Sequence, residues 1–238
     1  MIQLSQQDVK ALKLGLQTCK SVGIDCVAIV GDLISGINDG NNLCIISKIQ
    51  LSCPPQTKVG IGRVTDLVKR LDLFSDDIDI TLKAGETGDV SLINMSEKRS
   101  KAQFRCSFLS TIRHPKENSD VAQTVAKVKR DDLQAIVKAI RVYGAETVKF
   151  RISTNGSISV SMTDKTNDLF QLEIDNRAEF VDAEPSQPLN FAYAASNVST
   201  IFDLAQKEFD TVTIVVGEGG SLTTKVNTHD IILLPSAE

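Results

Sequence analysis

Apolar residues recur at helical spacing in four stretches of the 238-residue chain. The first predicted helix begins near Asp8 and ends at Gly23, and the others lie within residues 63–74, 132–143 and 197–205. Between the helices, apolar and polar residues alternate in short runs that are separated by turn-forming residues, which is typical of β-strands. The pattern therefore predicts an α+β fold.

The same order of elements occurs twice along the chain. Each half consists of a short leading strand, a helix, three strands, a second helix and three further strands. The repeat predicts two similar domains, residues 1–109 and residues 123–238, joined by the polar connector 110–122. We expect the two helices of each domain to pack on an antiparallel sheet. Coincidence between two ordinary α+β halves is the alternative explanation.

The polar sides of the predicted helices are rich in lysine and arginine, although the chain has a net charge of −4. In the first and third helices these sides lack acidic residues, whereas the second helix mixes both charges. A solvated face explains any one such helix, but its recurrence favours contact with a phosphate backbone that is recognised by charge. The candidate residues are Lys10, Lys13, Lys20, Arg63, Lys69, Arg70, Lys138 and Arg141.

Few residues support catalysis or metal binding. The five cysteines form no C-x-x-C pair, and neither His114 nor His229 lies in a recognisable catalytic pattern. The segment from Gly60 to Thr65 reads G-x-G-x-x-T and lacks the third glycine of a dinucleotide-binding loop, so a turn before a helix explains it better. The paired carboxylates Asp76 and Asp77 are interpreted as a solvated turn. We expect no enzyme activity, no metal and no cofactor.

The chain has no apolar run of membrane-spanning length and no signal-peptide pattern at its N-terminus. We therefore expect a cytoplasmic protein without a membrane partner.

Residues 59–106 and 127–174, together with the C-terminal segment IILLPSAE, resemble the DNA sliding clamps, which are ring-shaped processivity factors of replicative polymerases. The resemblance covers nearly the whole chain and is strongest to the two-domain clamps of T4-like bacteriophages; the connector and residues 176–192 depart most. It implies a head-to-tail homotrimer that encircles duplex DNA without sequence specificity. It also implies a clamp loader and a DNA polymerase as partners, and it is compatible with a role in late transcription.

The resemblance implies a subunit interface in which strand Lys101–Leu109 of one subunit pairs with strand Asp168–Asp175 of the next. Unpaired edge strands are suited to this kind of contact. The apolar residues that the two strands contribute are Phe104, Cys106, Phe108, Phe170, Leu172 and Ile174.

The resemblance also implies a pocket that holds the C-terminal peptide of the polymerase. The connector, the strand and turn from Ile37 to Leu43 in the first domain and the C-terminal strand would meet there. The candidate pocket residues are Ile37, Leu43, Ile112, Leu234 and Pro235. Several of them are equally compatible with the edge of an ordinary core. Two further functions remain open for the chain, namely a nucleotide-binding enzyme of the oxidoreductase type and a structural oligomer without a DNA role.

Overall fold

A computed structural model describes residues 1–75, 77–86, 88–115, 120–227 and 229–236. It divides the chain into two compact units, Met1–Asn118 and Ser119–Glu238. Residues 116–119 of the predicted connector and Asp76 of the predicted acidic turn lie outside the described residues.

The first unit contains two helices and eight strands in its described part. In chain order these are β1 (Ile2–Gln3), α1 (Gln6–Ser21), β2 (Val27–Val30), β3 (Leu33–Ile37), β4 (Leu43–Lys48), β5 (Lys58–Ile61), α2 (Val64–Leu71), β6 (Asp79–Ala84), β7 (Val90–Glu97) and β8 (Ser100–Arg105), followed by a 3-10 turn at Leu109–Thr111. The strand order within the unit is β1-β6-β7-β5-β2-β3-β4, and β8 also pairs with β7.

The second unit repeats this arrangement with one additional short strand. Its elements are β9 (Ala122–Lys129), α3 (Arg130–Tyr143), β10 (Thr147–Ile152), β11 (Ile158–Thr163), β12 (Leu169–Ile174), β13 (Glu179–Phe180), β14 (Leu189–Ala194), α4 (Ala195–Glu208), β15 (Thr211–Gly217), β16 (Leu222–Val226) and β17 (His229–Leu233). One sheet has the order β12-β11-β10-β14, and the other strands follow the order β17-β16-β15-β9-β13.

The first helix shows why the local sequence forms these elements. Ser5 caps α1, because its side chain accepts a hydrogen bond from the Asp8 backbone while the Asp8 carboxylate accepts one from the Ser5 backbone. The apolar residues that recur along α1 are buried, including Leu12 and Leu16. Helical spacing therefore predicted the correct position and the correct buried side of this helix.

The structure confirms the mixed helix-and-sheet fold but corrects its sheets in two respects. Each unit has a further strand before its second helix, β5 in the first unit and β14 in the second. In addition, β5 pairs in parallel with β7 at Val59 and Val90, so the sheet of the first unit is not wholly antiparallel. The four-residue β5 contains Gly60, and it is too short for a clear alternating pattern.

None of the helices in the described residues is long and apolar enough to cross a membrane.

Candidate nucleic-acid interface

The two helices of each unit pack side by side, and several of their basic residues lie away from the buried apolar side. Lys10 and Lys20 of α1, Lys69 of α2 and Lys138 of α3 are exposed. No hydrogen bond or ion pair joins these four side chains to another described residue. They present flexible positive charges that suit phosphate oxygens, and their exposure leaves them accessible to a ligand.

Two other predicted basic residues are partly engaged by their own chain. The Lys13 ammonium donates a hydrogen bond to the Ser75 carbonyl oxygen at 3.2 Å. The Arg141 guanidinium of α3 lies 3.4 Å from the Asp203 carboxylate of α4. A hydrogen bond from Lys207 lowers the pKa of Asp203, and the charge of Arg141 contributes to the shift. Asp203 therefore stays ionised near neutral pH and reduces the positive charge available from Arg141.

Arg63, which precedes α2, and Arg70 in its last turn both contact the ring of Phe104 in β8. The guanidinium carbons lie 5.3 Å and 5.4 Å from the ring centroid, which is the range of cation–π contacts. Arg70 also donates a hydrogen bond of 2.6 Å to the Gln103 carbonyl oxygen, while Arg63 lies 3.7 Å from the Asp66 carboxylate. The sequence predicted both arginines as DNA-facing residues of α2 but did not reveal that they contact Phe104 of β8.

The open edges of β8 and β12 are the places where the resemblance implies subunit contacts. Within the described residues, β12 pairs only with β11 and β8 pairs along its length only with β7. The edges differ in charge. The basic residues along and beside β8 are Lys98, Arg99, Lys101 and Arg105. The acidic residues along and beside β12 are Asp164, Asp168, Glu173 and Asp175.

The backbone hydrogen-bonding groups of β8 point alternately towards β7 and towards the open edge. The Cys106 amide donates to the Ser91 carbonyl oxygen of the β7 segment, so backbone groups of every second residue face β7. By this alternation the Gln103 carbonyl faces away from β7. Arg70 thus occupies a backbone acceptor on the open edge of β8.

The structure corrects part of the predicted interface. Phe104 is 1% exposed and belongs to the core of its own unit, and Ile174 is also buried. The strand predicted as Lys101–Leu109 ends at Arg105, so Phe108 lies beyond it and is 68% exposed. Cys106, Phe170 and Leu172 are half-buried.

Two exposed apolar residues near β12 were missed. Leu169 is 60% exposed at the start of β12, and Val142 is 72% exposed in the last turn of α3. Each lies off the apolar stripe of its element. An apolar residue at a position where the periodicity predicts a polar one is the sequence signal that could have identified them.

The predicted pocket residues have different surroundings. Leu43 and Ile112 are buried; the Leu43 amide at the start of β4 donates to the Asn38 side-chain oxygen, and Ile112 packs over Gly60. Ile37 is half-buried at the end of β3. The interpretation of Leu43 and Ile112 as exposed pocket-lining residues is therefore wrong.

In the second unit, Leu234 is half-buried and Pro235 is exposed, immediately after β17. The Ser236 amide donates a hydrogen bond to the Ala192 carbonyl oxygen of β14 at 2.8 Å.

The beginning of the predicted connector is held against the first unit. Arg113 donates a hydrogen bond to the Asn41 side-chain oxygen at 2.9 Å, and the His114 ring lies 3.2 Å from the Ser35 hydroxyl. These contacts fix residues 113–115 beside the β3–β4 hairpin.

The glycines of the G-x-G-x-x-T segment face their own chain. A side chain at Gly60 would place its Cβ 2.5 Å from the Ser107 carbonyl oxygen, and one at Gly62 would lie 2.6 Å from the Ser107 hydroxyl. The segment after β8 fills the space that a bound phosphate would require. Glycine at these positions therefore permits close packing of the backbone and does not indicate a nucleotide site.

In the described part of the chain, no group of three or more His, Cys, Asp or Glu side chains is arranged to hold a metal ion.

No protein-family model and no curated protein sequence matches this chain. Among solved structures, the chain is similar to the proliferating cellular nuclear antigen of Entamoeba histolytica, with a TM-score of 0.65 and 13% sequence identity. The similarity covers 99% of this chain and 98% of that protein. The two units and their repeated helix-and-sheet order therefore form, over nearly the whole chain, the fold of a proliferating cellular nuclear antigen.

Proposed function

We propose that this chain is a DNA sliding clamp, which encircles duplex DNA and tethers a replicative polymerase. The observation that carries the proposal is the end-to-end similarity to a sliding-clamp fold. The sequence resemblance to the sliding clamps leads to the same function by a separate route. A sliding clamp acts as a scaffold, so the proposal includes no catalytic residues and no cofactor.

The DNA contacts are proposed to come from Lys10, Lys20, Lys69 and Lys138. All four are exposed on the polar sides of helices and lack a described partner, whereas Arg70 holds β8. Lysines on flexible stems neutralise phosphates without reading base edges, so the binding should be independent of sequence and should weaken with salt. Lys13, Arg63 and Arg141 are proposed as secondary contacts because each has a partner within the chain.

Self-association is proposed to join the basic edge of β8 to the acidic edge of β12 in a neighbouring copy. Opposite charges at the two edges favour a head-to-tail contact over contacts between like edges, and head-to-tail contacts close into rings when the rotation permits. A homotrimer, the T4-like phage subtype and a role in late transcription follow from the sequence resemblance and form the finer part of the proposal.

The polymerase peptide and the clamp loader are the proposed protein partners. Ile37, Leu234 and Pro235 remain the candidate peptide-binding residues, because each retains exposed surface. The proposed location is the cytoplasm, where replication proteins of a phage would act.

The test combines oligomer mass with binding to DNA. Mass photometry of the full chain should give a species of three chains. Replacement of Lys10, Lys20, Lys69 and Lys138 by alanine should preserve that mass but weaken binding to duplex DNA. The logarithmic salt dependence should become shallower by about 0.9 for every phosphate that the variant no longer neutralises.

A matched variant controls for net charge. Alanine at Lys48, Lys58, Lys83 and Lys127 removes the same charge from exposed strand positions and should leave DNA binding close to that of the unmodified chain. Equally weakened binding in the two variants would contradict the helix-face contacts. A monomer at every concentration tested would contradict the ring.

A further inference from the structure

We propose that the outer face of the β12-β11-β10-β14 sheet binds an acidic, extended peptide segment of a partner protein, with Lys149 and Arg151 as the carboxylate-binding residues. The surface lies wholly within the second unit and is separate from the helices proposed to contact DNA. The proposal does not depend on the DNA-binding function.

Strand β10 places both cations on one face of the sheet. Its residues alternate, so that Val148, Phe150 and Ile152 are buried while Lys149 and Arg151 are exposed. The aromatic ring of Phe150 packs against Tyr193 and Phe202 inside the unit. The inner face of β10 is thus fixed by the core, and the two cations stand together on its outer face.

Small and polar residues surround the cations and leave a groove. Lys149 pairs in register with Ser161 on one side and Ala192 on the other, and Arg151 pairs with Ser159 and Asn190. Because these neighbours are short, the longer Lys149 and Arg151 side chains rise above a shallow floor. The groove has a volume of about 410 Å³, and its lining includes these residues and Gln171.

The two cations have no carboxylate partner among the described residues. No hydrogen bond or ion pair joins Lys149 or Arg151 to the side chain of another described residue. The acidic residues nearest along the sheet are partly engaged or offset: Glu146 lies 4.0 Å from Lys165, and Asp164 accepts hydrogen bonds from Thr166 and from the Asp168 backbone.

Among the described residues of the four strands, Glu173 is the acidic group on this face. Glu173 in β12 pairs with Ser159 in β11, and Ser159 pairs with Arg151 in β10. The backbones of Glu173 and Arg151 are therefore two strand spacings apart, about 9 to 10 Å. The centre of the groove is therefore positive and its borders carry negative charge.

The spacing of the cations matches an extended peptide. Residues two apart on a strand are separated by about 6.6 Å and point to the same side, and the same holds for carboxylates at positions i and i+2 of an extended ligand. A helical ligand would direct such carboxylates to different sides. Hydroxyl groups of Ser159 and Ser161 and the amides of Gln171 and Asn190 supply further hydrogen-bond donors beside the two cations.

The charges at the borders favour a short acidic segment over a nucleic acid. A polynucleotide requires a continuous basic surface, and here its phosphates would meet Glu146, Asp164 and Glu173 within a short distance of the two cations. A peptide segment with only two carboxylates can pair with Lys149 and Arg151 without placing negative charge beside the acidic residues at the borders of the groove.

The experiment measures binding of a fluorescein-labelled, eight-residue serine peptide that carries two glutamates, separated by one serine, at its centre, using fluorescence anisotropy and the full chain. The K149Q/R151Q variant should bind the peptide about five- to tenfold more weakly, since each exposed charge pair contributes modestly. The K127Q/R177Q variant removes equal charge from exposed positions outside the groove and should bind as the unmodified chain does. The same peptide with glutamine in place of glutamate should bind to none of the three.

Circular dichroism and thermal unfolding of each variant verify the fold, because all four substituted side chains are exposed. Equal affinity of the unmodified chain and the K149Q/R151Q variant for the acidic peptide would overturn the proposal. So would weaker binding of K149Q/R151Q to duplex DNA with unchanged peptide binding, since the surface would then serve a nucleic acid. Weaker peptide binding with unchanged DNA binding in K149Q/R151Q supports a protein ligand even if the proposed clamp function fails.

Discussion

At the scale of single residues, Asp120 holds together the turn between β15 and β16. Its carboxylate accepts backbone hydrogen bonds from Gly219 at 2.7 Å and from Ser221 at 3.0 Å. Partial burial raises the pKa of Asp120, but the hydrogen bonds from Ser221 and Gly219 together outweigh it and lower the pKa. A side chain at Gly217 would collide with this carboxylate, so the turn requires glycine there.

We expect Asp120→Ala to lower the free energy of unfolding by about 1–3 kcal/mol, because the amide of the buried Ser221 then loses its acceptor. The lowered pKa means that the folded state favours the charged form. The stabilisation should therefore be present above the ordinary carboxyl pKa of about 4 and disappear as the pH falls through the lower pKa of the folded state. Urea unfolding of the unmodified chain and the variant between pH 7 and pH 3 tests this. Asp182→Ala, at an exposed position, is the control and should show no comparable change.

The cysteines should differ in reactivity according to burial. Burial raises the pKa of Cys19 and of Cys106 to about 12 and that of Cys44 to about 11. Since the thiolate is the reactive form, the buried Cys19 thiol should be almost entirely protonated and unreactive at pH 8. We expect iodoacetamide to leave Cys19 unmodified in the folded protein and to modify all five cysteines in urea. Peptide mass spectrometry distinguishes the positions, and rapid labelling of Cys19 under native conditions would show that the α1 core opens readily.

At the scale of elements, three side-chain contacts join α2 and its N-terminal Arg63 to β8. Two of these are the stacking of Arg63 and Arg70 on Phe104, and the third is the hydrogen bond from Arg70 to Gln103. The planar guanidinium makes the stacking and the hydrogen bond at the same time, which an ammonium group does less well.

We expect Arg70→Ala to lower the free energy of unfolding by about 1–2 kcal/mol and Arg70→Lys to recover only part of that stability. Lys69→Ala, at the neighbouring exposed position, should leave stability unchanged but weaken DNA binding more than Arg70→Ala does. Urea unfolding and anisotropy with a labelled duplex measure the two effects. The opposite ranking in DNA binding would indicate that Arg70 leaves β8 and contacts phosphate.

The sequence predicted the positions of helices and strands better than the contacts between them. The positions of α1 and α3 follow from the spacing of nearby apolar residues, which is a local signal. The parallel contact of β5 with β7 and the contact of Arg70 with β8 join residues far apart in the chain, and no local pattern encodes them. Burial of Phe104 was missed for the same reason. Strand alternation predicts which side of the sheet a residue lies on, but it does not predict which element packs against that side.

At the scale of the whole molecule, the proposed assembly depends on unlike charges at two edges. The edges of β8 and β12 lie in different units of one chain, so each copy offers one basic and one acidic edge. This arrangement favours contacts between copies in a single direction.

Charge reversal tests that direction. K101E/R105E alone and D168K/E173K alone should each weaken self-association, because one edge then meets a like charge, and the chain with all four substitutions should recover it. Sedimentation velocity at low and high salt gives the fraction of oligomer. Failure of the fourfold variant to recover, with its fold intact, would contradict the pairing of these edges. All four positions are exposed, so the substitutions leave the core unchanged.

The hydrogen bond from Arg70 to the Gln103 carbonyl has a kinetic consequence. A strand that approaches the open edge of β8 finds one acceptor already occupied, so pairing there is an exchange of hydrogen bonds and not a simple addition. At Gln103 one hydrogen bond breaks for the one that forms, so the exchange there adds to the barrier to pairing more than it changes the final equilibrium. A strand that displaces Arg70 from Gln103 would leave the guanidinium, which is charged in either state, available to another acceptor beside α2.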